Sequence, residues 1–123
     1  MAVYSVESVK GLDHVQVVYT GKDNPIEVIF KLDDVEYDYS GAKLIKVKIG
    51  TVEFDSTSDA GAFDRSESAI GKLRVFIGDL PNIAAQAYNV KFEITDENNK
   101  DLYFGHIRVK IDDPGMWLFT LFL

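Results

Sequence analysis

An all-β fold, an antiparallel sandwich of about seven to nine short strands, is what this sequence predicts. Three observations carry the prediction. First, Tyr88, Val90, Phe92 and Ile94 alternate with Asn89, Lys91 and Glu93, while Ile107, Val109 and Ile111 alternate with Arg108 and Lys110. A period of two gives a strand one dry face and one wet face. Second, the same alternation returns along the chain between clusters of Gly, Pro, Asn and Asp, the punctuation expected of a sandwich. Third, no segment keeps a 3.6-residue period; Ile83-Ala84-Ala85-Gln86-Ala87 has the length of one helical turn and cannot stand alone.

Taken in order, residues 2–10 and 12–20 are two β-prone runs broken by Gly11, with Val15, Val17 and Tyr19 on one face of the second. Pro25 closes a turn, because its ring fixes its own φ and biases Asn24 away from helix. Ile26, Val28, Phe30 and Leu32 form the next apolar face, and Ile29 on the opposite side predicts partial cover there. After the acidic turn at 33–36, Ile45, Val47 and Ile49 point inward and Lys46 and Lys48 outward, followed by a short run at 51–54. Residues 55–68 are the longest polar segment, a loop long enough to predict a functional or mobile role. Leu73, Val75 and Ile77 give another strand face. Asp-Glu-Asn-Asn-Lys-Asp at 96–101 turns residues 88–95 back into 107–111 as an antiparallel hairpin.

The length of 123 residues suits one domain, and no linker or repeat divides it. Apolar content of 46% is too high for disorder. The net charge of −7, with acids and bases intermixed, disfavours nucleic acid as a partner, because phosphate neutralisation needs clustered cations. Lys43, Lys46 and Lys48 are the one basic cluster, and a solvated face explains them. The absence of cysteine removes disulfides and thiolate metal sites and fits a reducing cytoplasm. The first residues lack the basic-then-apolar pattern of a signal peptide. The final apolar run is far shorter than a membrane span, so no membrane partner is expected.

Chemistry is sparse. Asp33, Asp34, Glu36 and Asp38 crowd one turn, and Asp55, Asp59, Asp64 and Glu67 punctuate the long loop. Loop carboxylates suit calcium, but no spacing matches an EF-hand, and acidic turns kept in water explain them. His14 and His106 are too few for a three-histidine zinc site. There is no nucleophile elbow and no phosphate-cradling glycine loop. No enzyme and no cofactor is expected. Two aromatic groups carry the binding hypotheses. Tyr37, Tyr39 and Phe63 would together offer rings for stacking on a sugar, set against plain packing at a sandwich edge. Met116, Trp117, Leu118, Phe119, Leu121, Phe122 and Leu123 would make a strand apolar on both faces. Such a strand is either covered within the chain or paired with a neighbouring subunit.

The pieces from residue 24 to 111 resemble the Ig-like domains of tailed-phage tail and baseplate structural proteins, including the N-terminal domain of upper baseplate proteins. The matching features are the run at 26–32, the acidic turn at 33–36, Asp38-Tyr39-Ser40-Gly41-Ala42 and the strand at 43–49. Further along come the Gly-Lys-Leu-x-Val strand at 71–75 and the hairpin ending in Gly-His-Ile-x-Val. Tyr88, two residues before Val90, also has the spacing of the immunoglobulin corner tyrosine, with valine in place of the cysteine. The resemblance implies an Ig-like core at 24–111 and a non-enzymatic assembly role. It also implies homo-oligomers or other virion subunits as partners, in a virion or in the host cytoplasm before assembly. The first twenty residues and the terminal run at 116–123 lie outside it.

Overall fold

The computed structural model describes residues 2–10, 15–20, 25–77 and 84–112. Among these residues are ten strands: β1 (Tyr4–Ser8), β2 (Gln16–Tyr19), β3 (Ile26–Leu32), β4 (Val35–Glu36), β5 (Leu44–Ile49), β6 (Val52–Asp55), β7 (Phe63–Asp64), β8 (Lys72–Val75), β9 (Ala87–Thr95) and β10 (Asp101–Asp112). They form two sheets. The first has the order β1-β3-β8-β7 with β4 on β3, and the second β2-β10-β9-β5-β6. In immunoglobulin lettering β1, β3, β8 and β7 correspond to A, B, E and D, while β10, β9 and β5 correspond to G, F and C. The Ig-like sandwich expected from the sequence is therefore present, with β7 cut to two residues and β4 as a two-residue addition on β3.

One pairing departs from an all-antiparallel scheme. β2 runs parallel to β10, with Gln16 opposite Val109 and Tyr19 opposite Asp112. The first extended segment thus splits: β1 pairs antiparallel with β3 in one sheet, and β2 joins the other. Gln16 secures the crossing. Its buried amide donates to the Glu27 carbonyl (2.7 Å) and to Ser8 Oγ (2.9 Å), and it accepts from the Glu27 N–H (2.8 Å). Where β1 leaves β3, a side-chain amide continues the ladder.

The face shared by Val15, Val17 and Tyr19 is the outward one. They are 44%, 45% and 41% exposed, while Gln16 and Val18 point inward. The alternation was legible and its direction was not. Gln16 is inward where its amide oxygen pairs the Glu27 N–H and its amide nitrogen shares the Glu27 carbonyl with the Val9 N–H.

The core lies between the sheets. Phe30 of β3 is its hub, with edge-on contacts to Tyr39, Phe92 and Phe104 at centroid distances of 5.3, 5.8 and 4.9 Å. Val90, Phe92 and Ile94 of β9 and Ile45, Val47 and Ile49 of β5 are buried, as the alternation predicts. The hairpin is longer than the sequence reading, because β10 begins at Asp101. Its register shifts between Tyr103 and Gly105. The extra residue swaps parity, so that Phe104 and then Ile107, Val109 and Ile111 all face inward. Gly105, at φ 105°, supplies the backbone freedom such a bulge requires.

Residues 55–68 are folded rather than an open loop. Asp55 Oδ1 accepts from the Thr57 and Ser58 N–H groups (2.9 and 2.7 Å), a 3-10 turn covers Ala60–Ala62, and β7 pairs with β8.

Candidate functional site

The three rings proposed for stacking do not converge on one surface. Tyr37 and Tyr39 lie on the connection from β4 to β5, not on a strand. Tyr39 is 1% exposed, its hydroxyl donates to the Lys72 carbonyl, and the Arg65 guanidinium sits 5.8 Å from its ring centroid. Burial pushes its phenol pKa well up, and Asp64 and Glu67 add to the shift. Such a ring offers no face to a sugar. Phe63 packs on Phe54 at 5.5 Å, on β7 in the first sheet. Phe63 and Tyr37 each keep a partly open surface, on separate parts of the sandwich, and of the two only Tyr37 lines a cleft. Tyr37 is half-buried against Tyr4 and Phe104, and burial is the main cause that raises its pKa.

Tyr37 opens onto a cleft of about 310 Å³ that also contains Asp38, Ser40, Gly41, Asp96, Glu97 and Asn98. Two connections build it: residues 37–42, and the turn between β9 and β10. Each is shaped by its own carboxylate. Asp38 Oδ1 accepts from the Ser40 N–H (2.9 Å), and Asp96 Oδ1 accepts from Asn98 and Lys100 (2.8 and 2.9 Å). The hydrogen bonds from Ser40 hold the Asp38 carboxyl below its usual range. Among the described residues no Lys or Arg nitrogen lies within 4 Å of Asp38, Asp96 or Glu97. The same residues contain no group of three or more potential ligands able to hold a metal.

The outer face of the second sheet is the other candidate surface. At its β2 end it carries Val15, Val17 and Tyr19, and β2 has β10 on one side and, among the described residues, no strand on the other. Toward the middle, Lys48, Lys91 and His106 are neighbours across β5, β9 and β10, all exposed. Sequence reading found Lys46 and Lys48 together; only the register brings Lys91 and His106 beside them. The expected interface residues Met116, Trp117, Leu118, Phe119, Leu121, Phe122 and Leu123 lie outside the described residues, as does His14. No described helix is long and apolar enough to cross a membrane.

No family model and no curated protein matches the chain. Among solved structures it is similar to fibronectin(III)-like modules of Clostridium thermocellum CbhA, with 9% identity over 89% of this chain and 94% of that one, at a TM-score of 0.43. It is also similar to CopC from Methylosinus trichosporium OB3b, with 14% identity over 92% and 95% of the two chains, at a TM-score of 0.45.

Proposed function

We propose that this Ig-like sandwich is a non-enzymatic assembly module, of the kind found in phage or prophage tails and baseplates, that docks other subunits through a sheet edge and the apolar segment at 116–123. The observation that carries the reading is β2. Its outward residues Val15 and Val17 are nearly half exposed beside an edge without a strand neighbour among the described residues. An edge strand with apolar side chains is a template for strand addition. The residues at 116–123 supply an apolar strand sequence, and β10 ends at Asp112, opposite Tyr19 of that same edge strand. The sugar-binding alternative loses Tyr39 to the core and Phe63 to the far sheet, which leaves Tyr37 alone.

Light scattering on the intact chain tests the assembly role. An oligomer is expected, converted to monomer or to insoluble protein by removing residues 116–123, and weakened by Val17→Lys. A soluble monomer before and after the deletion would sink the role of that segment. Mass spectrometry of purified tails tests the setting, and absence of the chain from them removes it.

A further inference from the structure

We infer that the hollow beside Tyr103, on the outer face of the second sheet, binds a neutral sugar and takes one hexose-sized ring of a glycan. The inference goes beyond the assembly reading and rests on separate residues, away from the cleft beside Tyr37.

Strand register builds the site. Tyr103 of β10 lies opposite Glu93 of β9, and Glu93 opposite Lys46 of β5. In the next row, Lys91 of β9 lies opposite Lys48 of β5, and Lys48 opposite Glu53 of β6. These six positions wall a depression of about 250 Å³. Tyr103 is 54% exposed, and among the described residues no other ring packs against it. The charges around it are mixed in sign, and opposite signs face each other across the strands, an arrangement that favours pairing. Yet they stay apart. Lys46 reaches Glu53 at 3.9 Å, and among the described residues no other carboxylate and ammonium of the six come within 4 Å. No hydrogen bond engages the side chains of Lys48, Lys91, Glu93 or Tyr103 among those residues. The outer face of the first sheet is different, since Lys31 closes on Glu7 at 2.7 Å and Arg74 on Glu27 at 3.4 Å. The second sheet instead holds donors and acceptors around an open aromatic ring.

That set selects by chemistry. A phosphate or polyanion would meet Glu53 and Glu93 along with the lysines, and a cation would meet the lysines along with the carboxylates. Drug-sized apolar ligands need pockets of about 300–1,000 Å³ lined mostly by apolar side chains, and this hollow is smaller and largely polar. A neutral sugar uses every part of it. The C–H face of the pyranose lies on the Tyr103 ring, an amphipathic surface that costs little conformational entropy to hold. Each hydroxyl donates to a carboxylate and accepts from an ammonium group, so interleaved Lys and Glu satisfy both of its capacities. The hollow admits one ring, and the rest of the glycan runs out over the sheet. A dissociation constant of about 0.1–1 mM is the scale for a ring-sized ligand on an open surface.

Saturation-transfer NMR on the intact chain tests the inference, with neutral tetrasaccharides of glucose, galactose, mannose and N-acetylglucosamine, and a tetrasaccharide of galacturonic acid beside them. Transfer to the ring protons of at least one neutral sugar is expected, saturable and unchanged at high salt, since no net charge is recognised. Tyr103→Ala is expected to weaken binding by at least about tenfold, and Tyr103→Phe to keep it within about twofold, because the ring rather than the hydroxyl makes the contact. Glu93→Ala is expected to weaken it several-fold, and Tyr37→Ala to leave it unchanged. Thermal melts that match the parent chain establish that the variants are folded. Absence of transfer to every neutral sugar overturns the inference, as does binding that survives Tyr103→Ala in the folded variant. Binding of galacturonate alone, lost at high salt, overturns it in favour of the lysines acting as a plain anion site. Binding lost with Tyr37→Ala and kept with Tyr103→Ala overturns it in favour of the other cleft.

Discussion

Gly71 shows how a single residue can be fixed by backbone alone. It follows the 3-10 turn at Ser68–Ile70 with φ 79°, and a β-carbon there would fall 2.7 Å from the Phe30 carbonyl oxygen. Its own carbonyl accepts from the Phe30 N–H at 2.9 Å, so the segment cannot move away without losing that bond. Gly71→Ala is expected to cost about 3 kcal/mol, combining the left-handed penalty with the clash, as a lower urea midpoint at unchanged slope. Gly61→Ala is the control: a β-carbon there meets nothing within 4 Å, and the change is expected to stay within about 0.5 kcal/mol. A midpoint for Gly71→Ala equal to that of Gly61→Ala would refute the account. Tyr88 was legible at this scale, because its spacing from Val90 predicted the corner, and its hydroxyl donates to the Ala84 carbonyl at 2.7 Å. Tyr39 was not. Its neighbours Asp38 and Ser40 are exposed, and only the contacts with Phe30 and Arg65, distant in sequence, place it inside.

Among the elements, β2 depends on a polar residue. Gln16 pairs the Glu27 N–H at the point where β1 gives way and shares the Glu27 carbonyl with the Val9 N–H, so Gln16→Leu would leave the Glu27 N–H without this partner. About 1 to 2 kcal/mol of lost stability is expected, with earlier amide exchange at Glu27 than elsewhere in β3. Exchange at Glu27 that matches the parent chain would mean the amide clasp contributes little. Strand identity was readable wherever one face is uniformly apolar, as in β5 and β9. At β2 the shared face of Val15, Val17 and Tyr19 was readable but not its direction, because both faces carry apolar groups and a glutamine decides between them. Strand extent was missed at β10, where a bulge interrupts the parity that pattern reading follows; Gly105 within an apolar run was the available signal.

For the whole molecule, acid response follows from three carboxylates held by short loops. Asp55 is stabilised first by the Ser58 and Thr57 N–H groups, and Asp38 and Asp64 first by the Ser40 and Ser66 side chains. All three are lowered from 3.8, so the folded chain binds fewer protons than the unfolded one near that pH. Their contribution is complete above the ordinary carboxylate value and is lost as pH falls below about 4. Urea midpoints are expected to hold between about pH 7 and 5 and to decline in acid, with Asp55→Asn flattening the decline; a midpoint that rises on acidification contradicts the sign. The candidate surfaces were legible only in fragments, since Lys48 and Lys91, or Asp38 and Glu97, meet through strand register and loop proximity rather than spacing. The β2–β10 pairing joins segments far apart in sequence in a way that also concerns time. During synthesis, Gln16 to Tyr19 emerge about 90 residues ahead of their strand partners Val109 to Asp112. Until those are made β2 waits with its apolar outer face and its ladder edges open, held through the Gln16 amide once Glu27 has been made. A growing chain therefore carries this apolar-faced strand without a strand partner over that interval, and the synthesis of β10 is what closes it.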